Sequence, residues 1–277
     1  MVLIGWATLL KLPCINLHTM QRILFLFRFC ALIAVLIVAN HTAHACLNGS
    51  DADVFGRSQS KSRSQYPLPL GYAIDLESPR LVQSLTHWQS AEESQHFESM
   101  TNLGIYYVFN HQYDEAETQF RKNAAQWPDR YESAANLGTI LEINGKNAEA
   151  LTWIKQSLVL NPTAHDSSEW IHVKIIEGKL NPGLPFESET ILGVSFGDQV
   201  MPKATLNKRG LKLLQKQLFL QLNERISFIP PQDDYVASLM YALGNVTMSV
   251  GQYEMAYKIY RTYGASSFDV LKRNPYQ

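Results

Sequence analysis

The sequence predicts an all-α fold: antiparallel helix hairpins stacked one on the next. Three observations predict it. Leu103-Gly104, Tyr107, Ala116, Phe120 and Pro128 recur 34 residues later as Leu137-Gly138, Leu141, Ala150, Ile154 and Pro162. The same offsets return as Leu243-Gly244, Ala256 and Tyr260, with Thr247 in the aromatic slot and no closing proline. The 106 residues between Gly138 and Gly244 are close to three such periods, so the intervening stretch continues the stack. A repeat of this length is one supersecondary unit that cannot bury its apolar face alone.

In chain order, residues 1–45 come first and read as a signal segment. Lys11, Arg22 and Arg28 are their only charges, and Phe29 to Ala39 is almost wholly apolar. That run is shorter than the roughly 20 residues of a stable membrane span. Ala43-x-Ala45 is a small-residue cleavage site, and Met20-Gln21-Arg22 would serve as a short n-region, which makes Met20 an alternative start. An uncleaved anchor is the competing reading. Cys14 and Cys30 fall in this segment, so a processed chain keeps only Cys46, too few for an intrachain disulfide or a cysteine metal cluster. Cys46 directly after the cut is a candidate lipidation site. Ala43 and His44 depart from the usual lipoprotein pattern, however, so ordinary cleavage stays open beside lipidation. Without the segment the balance is 21 basic against 25 acidic residues, which gives no support for nucleic-acid binding.

Residues 46–70 are polar and aperiodic, a flexible tether, with order expected from about Tyr66-Pro67-Leu68-Pro69. Within 71–96, Ser78-Pro79 sets an N-cap with proline at the first helical position. The helix it opens carries Leu81, Leu85 and Trp88 and caps the first repeat. Residues 97–164 hold the two clear repeats. Glycine mid-helix costs about 1 kcal/mol against alanine; Gly104 and Gly138 are tolerated where a neighbouring helix comes close. Ala116 and Ala150 fill the small slot on the second helix, and Tyr107, Phe120 and Ile154 supply the bulk. Pro128 and Pro162 end the second helices. Asn110-His111-Gln112 and Asn144-Gly145 are the turns between.

Residues 165–235 read as a degenerate hairpin whose turn has swollen into a loop at 181–205; a linker between two sub-domains is the alternative. Asp166-Ser167-Ser168-Glu169 looks like an N-cap with a capping-box glutamate, opening a helix with Trp170, Val173, Ile176 and Leu180. Asn181-Pro182-Gly183 stops it. A second helix from Asn207 carries Leu211, Leu214, Leu218, Leu222 and Ile226. Inside the loop, Thr190 to Phe196 is apolar and β-prone, and it either binds a partner or folds back on the stack. Residues 236–277 form the last repeat.

Catalytic signatures are absent: no Gly-rich phosphate loop, no G-x-S-x-G and no H-E-x-x-H. No cofactor is called for. His165, Glu169 and His172 have the i, i+4, i+7 spacing of metal ligands on one helix face. The reading we prefer is a solvated turn histidine, a capping-box glutamate and a packed or surface histidine. Lys203, Lys208, Arg209, Lys212 and Lys216 around the start of the helix from Asn207 suit anionic lipid, but its apolar face is more simply the one that joins the stack. Tyr106, Tyr107, Phe109 and Tyr113 read as packing between hairpins rather than as a ligand cage. Asn48-Gly49-Ser50 and Asn245-Val246-Thr247 spell glycosylation sequons and are uninformative.

Residues 97–164 and about 236–270 resemble tetratricopeptide repeats, a little over a third of the chain. With its leader and Cys46, the chain more loosely resembles exported bacterial members of that superfamily. The resemblance implies a right-handed superhelix whose first helices line a concave groove. By motif position the groove residues are Glu98, Asn102, Ile105 and Phe109, then Glu132, Asn136, Thr139 and Glu142, then Tyr241, Asn245 and Met248. Asn102 and Asn136 match the asparagine that holds a carboxylate in chaperone-binding members. Glu98 and Glu132 stand where the accompanying cations would be, which favours an extended peptide or a cationic partner. The expected function is a non-enzymatic protein-interaction scaffold in the periplasm or at the outer membrane or cell surface. The alternative is a metal-dependent or enzymatic factor on the same scaffold.

Overall fold

The computed structural model describes residues 68–273, apart from 73, 91–94, 184–187, 198, 200 and 231–232. The predicted signal segment, Cys46 and most of the tether lie outside the described residues. Among the described residues the chain is all-helical, with no strand. Its elements are α1 (Pro79–Trp88), α2 (Phe97–Phe109), α3 (Tyr113–Gln126), α4 (Tyr131–Ile143), α5 (Asn147–Leu160), α6 (Ala164–Ser167), α7 (Glu169–Leu180), α8 (Ser188–Leu192), α9 (Lys208–Arg225), α10 (Asp234–Ser249) and α11 (Tyr253–Arg273).

Three pairs, α2/α3, α4/α5 and α10/α11, share one contact. A Cβ built on Gly104 would stand 2.5 Å from Phe120 Cε1, one on Gly138 2.5 Å from Ile154 Cδ1, and one on Gly244 closer still to the Tyr260 ring. In each pair the missing Cβ lets the residue 16 positions later lie against the helix backbone. The turns match as well. The N–H groups of His111 and Gln112 return to the carbonyls of Val108 and Tyr107; Gly145 and Lys146, then Gly251 and Gln252, repeat the arrangement. This is the Schellman closure, which needs a left-handed residue after the helix. Gly145 (φ 75°) and Gly251 (φ 87°) supply it, while His111 (φ 58°) adopts it as a non-glycine.

The helix ends follow the sequence. Ser78 Oγ accepts from the Leu81 N–H with Pro79 in the first turn. α3 and α5 stop two residues before Pro128 and Pro162, whereas α11, with Phe268 at the corresponding position, runs on for 21 residues to two before Pro275. Between the first two pairs, buried Glu117 on α3 accepts from Lys146 Nζ at 2.7 Å and Asn144 Nδ2 at 2.6 Å. Burial opposes its charge, but these donors and Arg121 lower its pKa to about 2.

The stretch 165–235 departs from the pattern. α5 packs on α7 and α9 packs on α10, but α7 and α9 meet only lightly, so this pair is splayed. The 181–205 loop folds back on the stack. Where β structure was expected, Ser188–Leu192 is a short helix, and Ile191, Leu192, Val194 and Phe196 are buried among Leu211, Leu214, Val236 and Leu239. Two backbone bonds close it, Lys203 N–H to Phe196 O and Thr205 N–H to Ser195 O.

Residues 68–76, apart from 73, pack on the helices, so 68–70 belong to the folded part and not to a flexible tether. Leu68 packs on the cluster of α9, α10 and α11, and Ile74 and Leu76 pack on that of α2 to α5. The strap is held through its backbone. Asn223 Oδ1 accepts from the N–H groups of Leu70 and Gly71, Ser227 Oγ accepts from that of Tyr72, and the Tyr263 hydroxyl donates to Pro69 O.

Candidate functional site

The predicted lining face divides in two. Glu98 is exposed and Phe109, Glu132, Tyr241 and Met248 are partly exposed. Asn102, Ile105, Asn136, Thr139, Glu142 and Asn245 are instead buried, none more than 8% exposed. Those six, expected along the concave groove, are buried in this structure. Chain segments account for this: Ile74, Leu76 and Phe228 pack on the cluster that contains Ile105, and Arg225 reaches Glu142. Of the buried polar groups, Thr139 Oγ1 donates to Ala135 O and Asn245 Oδ1 accepts from the Tyr260 hydroxyl, while the buried Asn102 Oδ1 has no hydrogen-bond partner among the described residues. Glu98 sits 3.8 Å from Arg130, whose guanidinium lies over the Phe97 ring.

Glu142 is the centre of a buried ionic cluster joining α4, α7 and α9. Arg225 donates to both of its oxygens, at 2.8 and 3.0 Å. His172 Nε2 lies 2.7 Å from Oε2 and Lys179 Nζ 2.7 Å from Oε1. The cluster continues from His172 Nδ1 to Glu169 Oε2 at 3.6 Å, and from Glu169 Oε1 to His165 Nδ1 at 2.5 Å. Glu224 Oε2 stands 4.0 Å from His165 Nε2, and Gln221 Nε2 donates to Ser168 Oγ at 3.1 Å.

Burial works against the charges of Glu142, Glu169, His165, His172 and Arg225, and the opposite charges overcome it. Arg225 and His172 hold Glu142 well below the usual carboxylate range, and His165 and His172 do the same for Glu169. Burial likewise disfavours charge on the two imidazoles, yet Glu142 raises His172, and Glu169 and Glu224 raise His165. With both ring nitrogens facing carboxylates, His172 is suited to the doubly protonated state.

His165, Glu169 and His172 do meet, as the i, i+4, i+7 spacing allowed, but as ion pairs. Among the described residues no group of three His, Cys, Asp or Glu side chains is arranged to hold a metal ion. His165 is 3% exposed, not a solvated turn residue. Nor does Glu169 close a capping box, since Ser168 makes no side-chain cap bond and Glu169 turns inward. The reason is the backbone: His165, Asp166 and Ser167 are all left-handed, at φ 54°, 53° and 59°. Such residues cost about 1–2 kcal/mol each. Gln217 Nε2 donating to Ser167 O and Lys216 bonding Asp166 hold the turn. Arg225, Glu224 and Gln221 were missed from the sequence. Their signal was polar residues on the same buried side of α9 as Leu218 and Leu222.

Beside this cluster, α7, α8 and α10 enclose a cleft of about 320 Å³ lined by Lys174, Glu177, Thr190, Ile191 and Tyr235. Lys174 already pairs with Glu177 at 2.8 Å. Among the described residues no helix is long and apolar enough to cross a membrane. No protein-family model matches the chain, and no curated protein matches it.

Proposed function

We propose that this chain is a non-enzymatic protein-interaction module of the tetratricopeptide type, exported to the bacterial cell envelope, whose groove takes an extended or cationic segment of a partner protein. The observation that carries this reading is the strap. Asn223 of α9, Ser227 just beyond it and Tyr263 of α11 hydrogen-bond backbone groups of its stretch from Pro69 to Tyr72. The stack thus holds one non-helical segment through main-chain groups, the mode in which an extended partner segment would be held, while Gly71, at φ 76° against Ile226 and Ser227, is particular to the strap. The groove residues that keep exposure, Glu98, Phe109, Glu132, Tyr241 and Met248, offer carboxylates and apolar surface in the combination a basic, partly apolar peptide needs. The ionic cluster supports the same reading, because its histidines and carboxylates are sealed among helices and spent on one another.

Affinity capture from the cell envelope with the wild type and with a Glu98→Lys/Glu132→Lys variant tests this. The expected result is a protein retained by the wild type and lost by the variant, at equal helical content. Identical captured sets, or none from either, would count against the proposal.

A further inference from the structure

The first half of α9 presents an unusual outer face. From Gln199 to Asn223 the sequence holds five cations, Lys203, Lys208, Arg209, Lys212 and Lys216, and no acidic residue. At about 100° per residue, Lys208, Arg209, Lys212, Leu213 and Lys216 fall within one arc of about 140°. The opposite arc carries the buried Leu211, Leu214, Leu218 and Leu222. Leu213, within this arc, is 53% exposed, and in the segment just before the helix Met201 is 55% exposed and Leu206 38%. Lys216 pairs with Asp166. Among the described residues no ion pair engages Lys203, Lys208, Arg209 or Lys212.

Two features need a common partner here, clustered positive charge and exposed aliphatic surface. An acidic protein or polyanion would meet the charge and leave Met201, Leu206 and Leu213 in water. An anionic bilayer meets both, with lipid phosphates for the cations and the acyl boundary for the apolar side chains. We propose that the face running from Met201 to Lys216 is a peripheral docking site for a membrane surface rich in anionic lipid. Gln221, Glu224 and Arg225, which reach the ionic cluster, fall outside this arc, so docking and the proposed partner binding are separate properties.

Co-sedimentation of the full chain with phosphatidylcholine vesicles, with and without phosphatidylglycerol, tests it. The expected result is tighter binding to the anionic vesicles, weakened by salt. Each cation near such a surface contributes about fivefold, so Lys208→Gln/Lys212→Gln should bind about 25-fold more weakly. Leu213→Ser should weaken the same binding without altering its salt dependence. The N-terminal apolar segment is common to all these proteins, so differences among them report α9. These residues are exposed, and unchanged far-UV circular dichroism will verify that the variants fold. Equal binding to neutral and anionic vesicles would overturn the proposal, as would binding unmoved by the lysine substitutions. Lysine-dependent binding to soluble polyglutamate with none to vesicles would overturn it in favour of an acidic protein.

Discussion

Gly138 shows how a single missing carbon sets a helix pair. Alanine there gains about 1 kcal/mol in helix propensity, yet its Cβ would stand 2.5 Å from Ile154 Cδ1. Overpacking of this kind costs about 1–3 kcal/mol, so Gly138→Ala should destabilise the protein in urea denaturation. Ile154→Val removes the clashing methyl and should recover part of the loss, a coupling that independent sites would not show. If Gly138→Ala is stabilising, the pair does not depend on close approach. His111 is the opposite case. It occupies the left-handed position that Gly145 and Gly251 occupy in the other turns. His111→Gly should therefore stabilise by about 1 kcal/mol, its Nδ1 contact with the Tyr113 hydroxyl being exposed and of little worth. Thermal denaturation measures this.

At the scale of elements, the regular helices were legible and the irregular ones were not, for a physical reason. Gly104, Gly138 and Gly244 each name their partner by a fixed offset, and Pro128 and Pro162 end helices by removing a donor. These are local constraints, and periodicity reports them. The inward turn of Glu169 depends on three successive left-handed residues, which no propensity of His165, Asp166 or Ser167 announces. Glu142 was placed by its repeat position on the groove side of its helix, and it is buried there. Its surroundings are set by Arg225, 83 residues away, and so lay beyond any local pattern. The 181–205 loop was seen as unusual for its apolar run. That run is apolar because Val194 and Phe196 join the apolar cluster that fills the splayed pair of α7 and α9 against α10.

For the molecule as a whole, the ionic cluster ties the regular helices to the irregular stretch and makes stability depend on pH from both sides. His165 and His172 have folded pKa values raised above 6.5, so their contribution is complete below about pH 6.5 and is lost as pH rises through the raised values. Glu142 and Glu169 lie below 4.5, so theirs is complete above about pH 4.5 and is lost as pH falls through the depressed values. The melting temperature should therefore be highest between these limits and fall on either side. Glu142→Gln leaves Arg225 and His172 without their carboxylate and should cost about 3–5 kcal/mol, or roughly 6–20 °C in melting temperature. A flat profile from pH 4 to 9 would show that the cluster does not hold the helices together.

The same architecture leaves Glu132 and Tyr241 accessible on the predicted groove, while Val159 is 76% exposed on the second helix of its pair. The central claim is that the groove face receives a partner, and photo-crosslinking in the intact cell envelope tests it most directly. A photoreactive residue at position 132 or 241 should give a discrete adduct with another protein, and one at position 159 should not. Adducts at 159 with none at 132 or 241 would contradict the account.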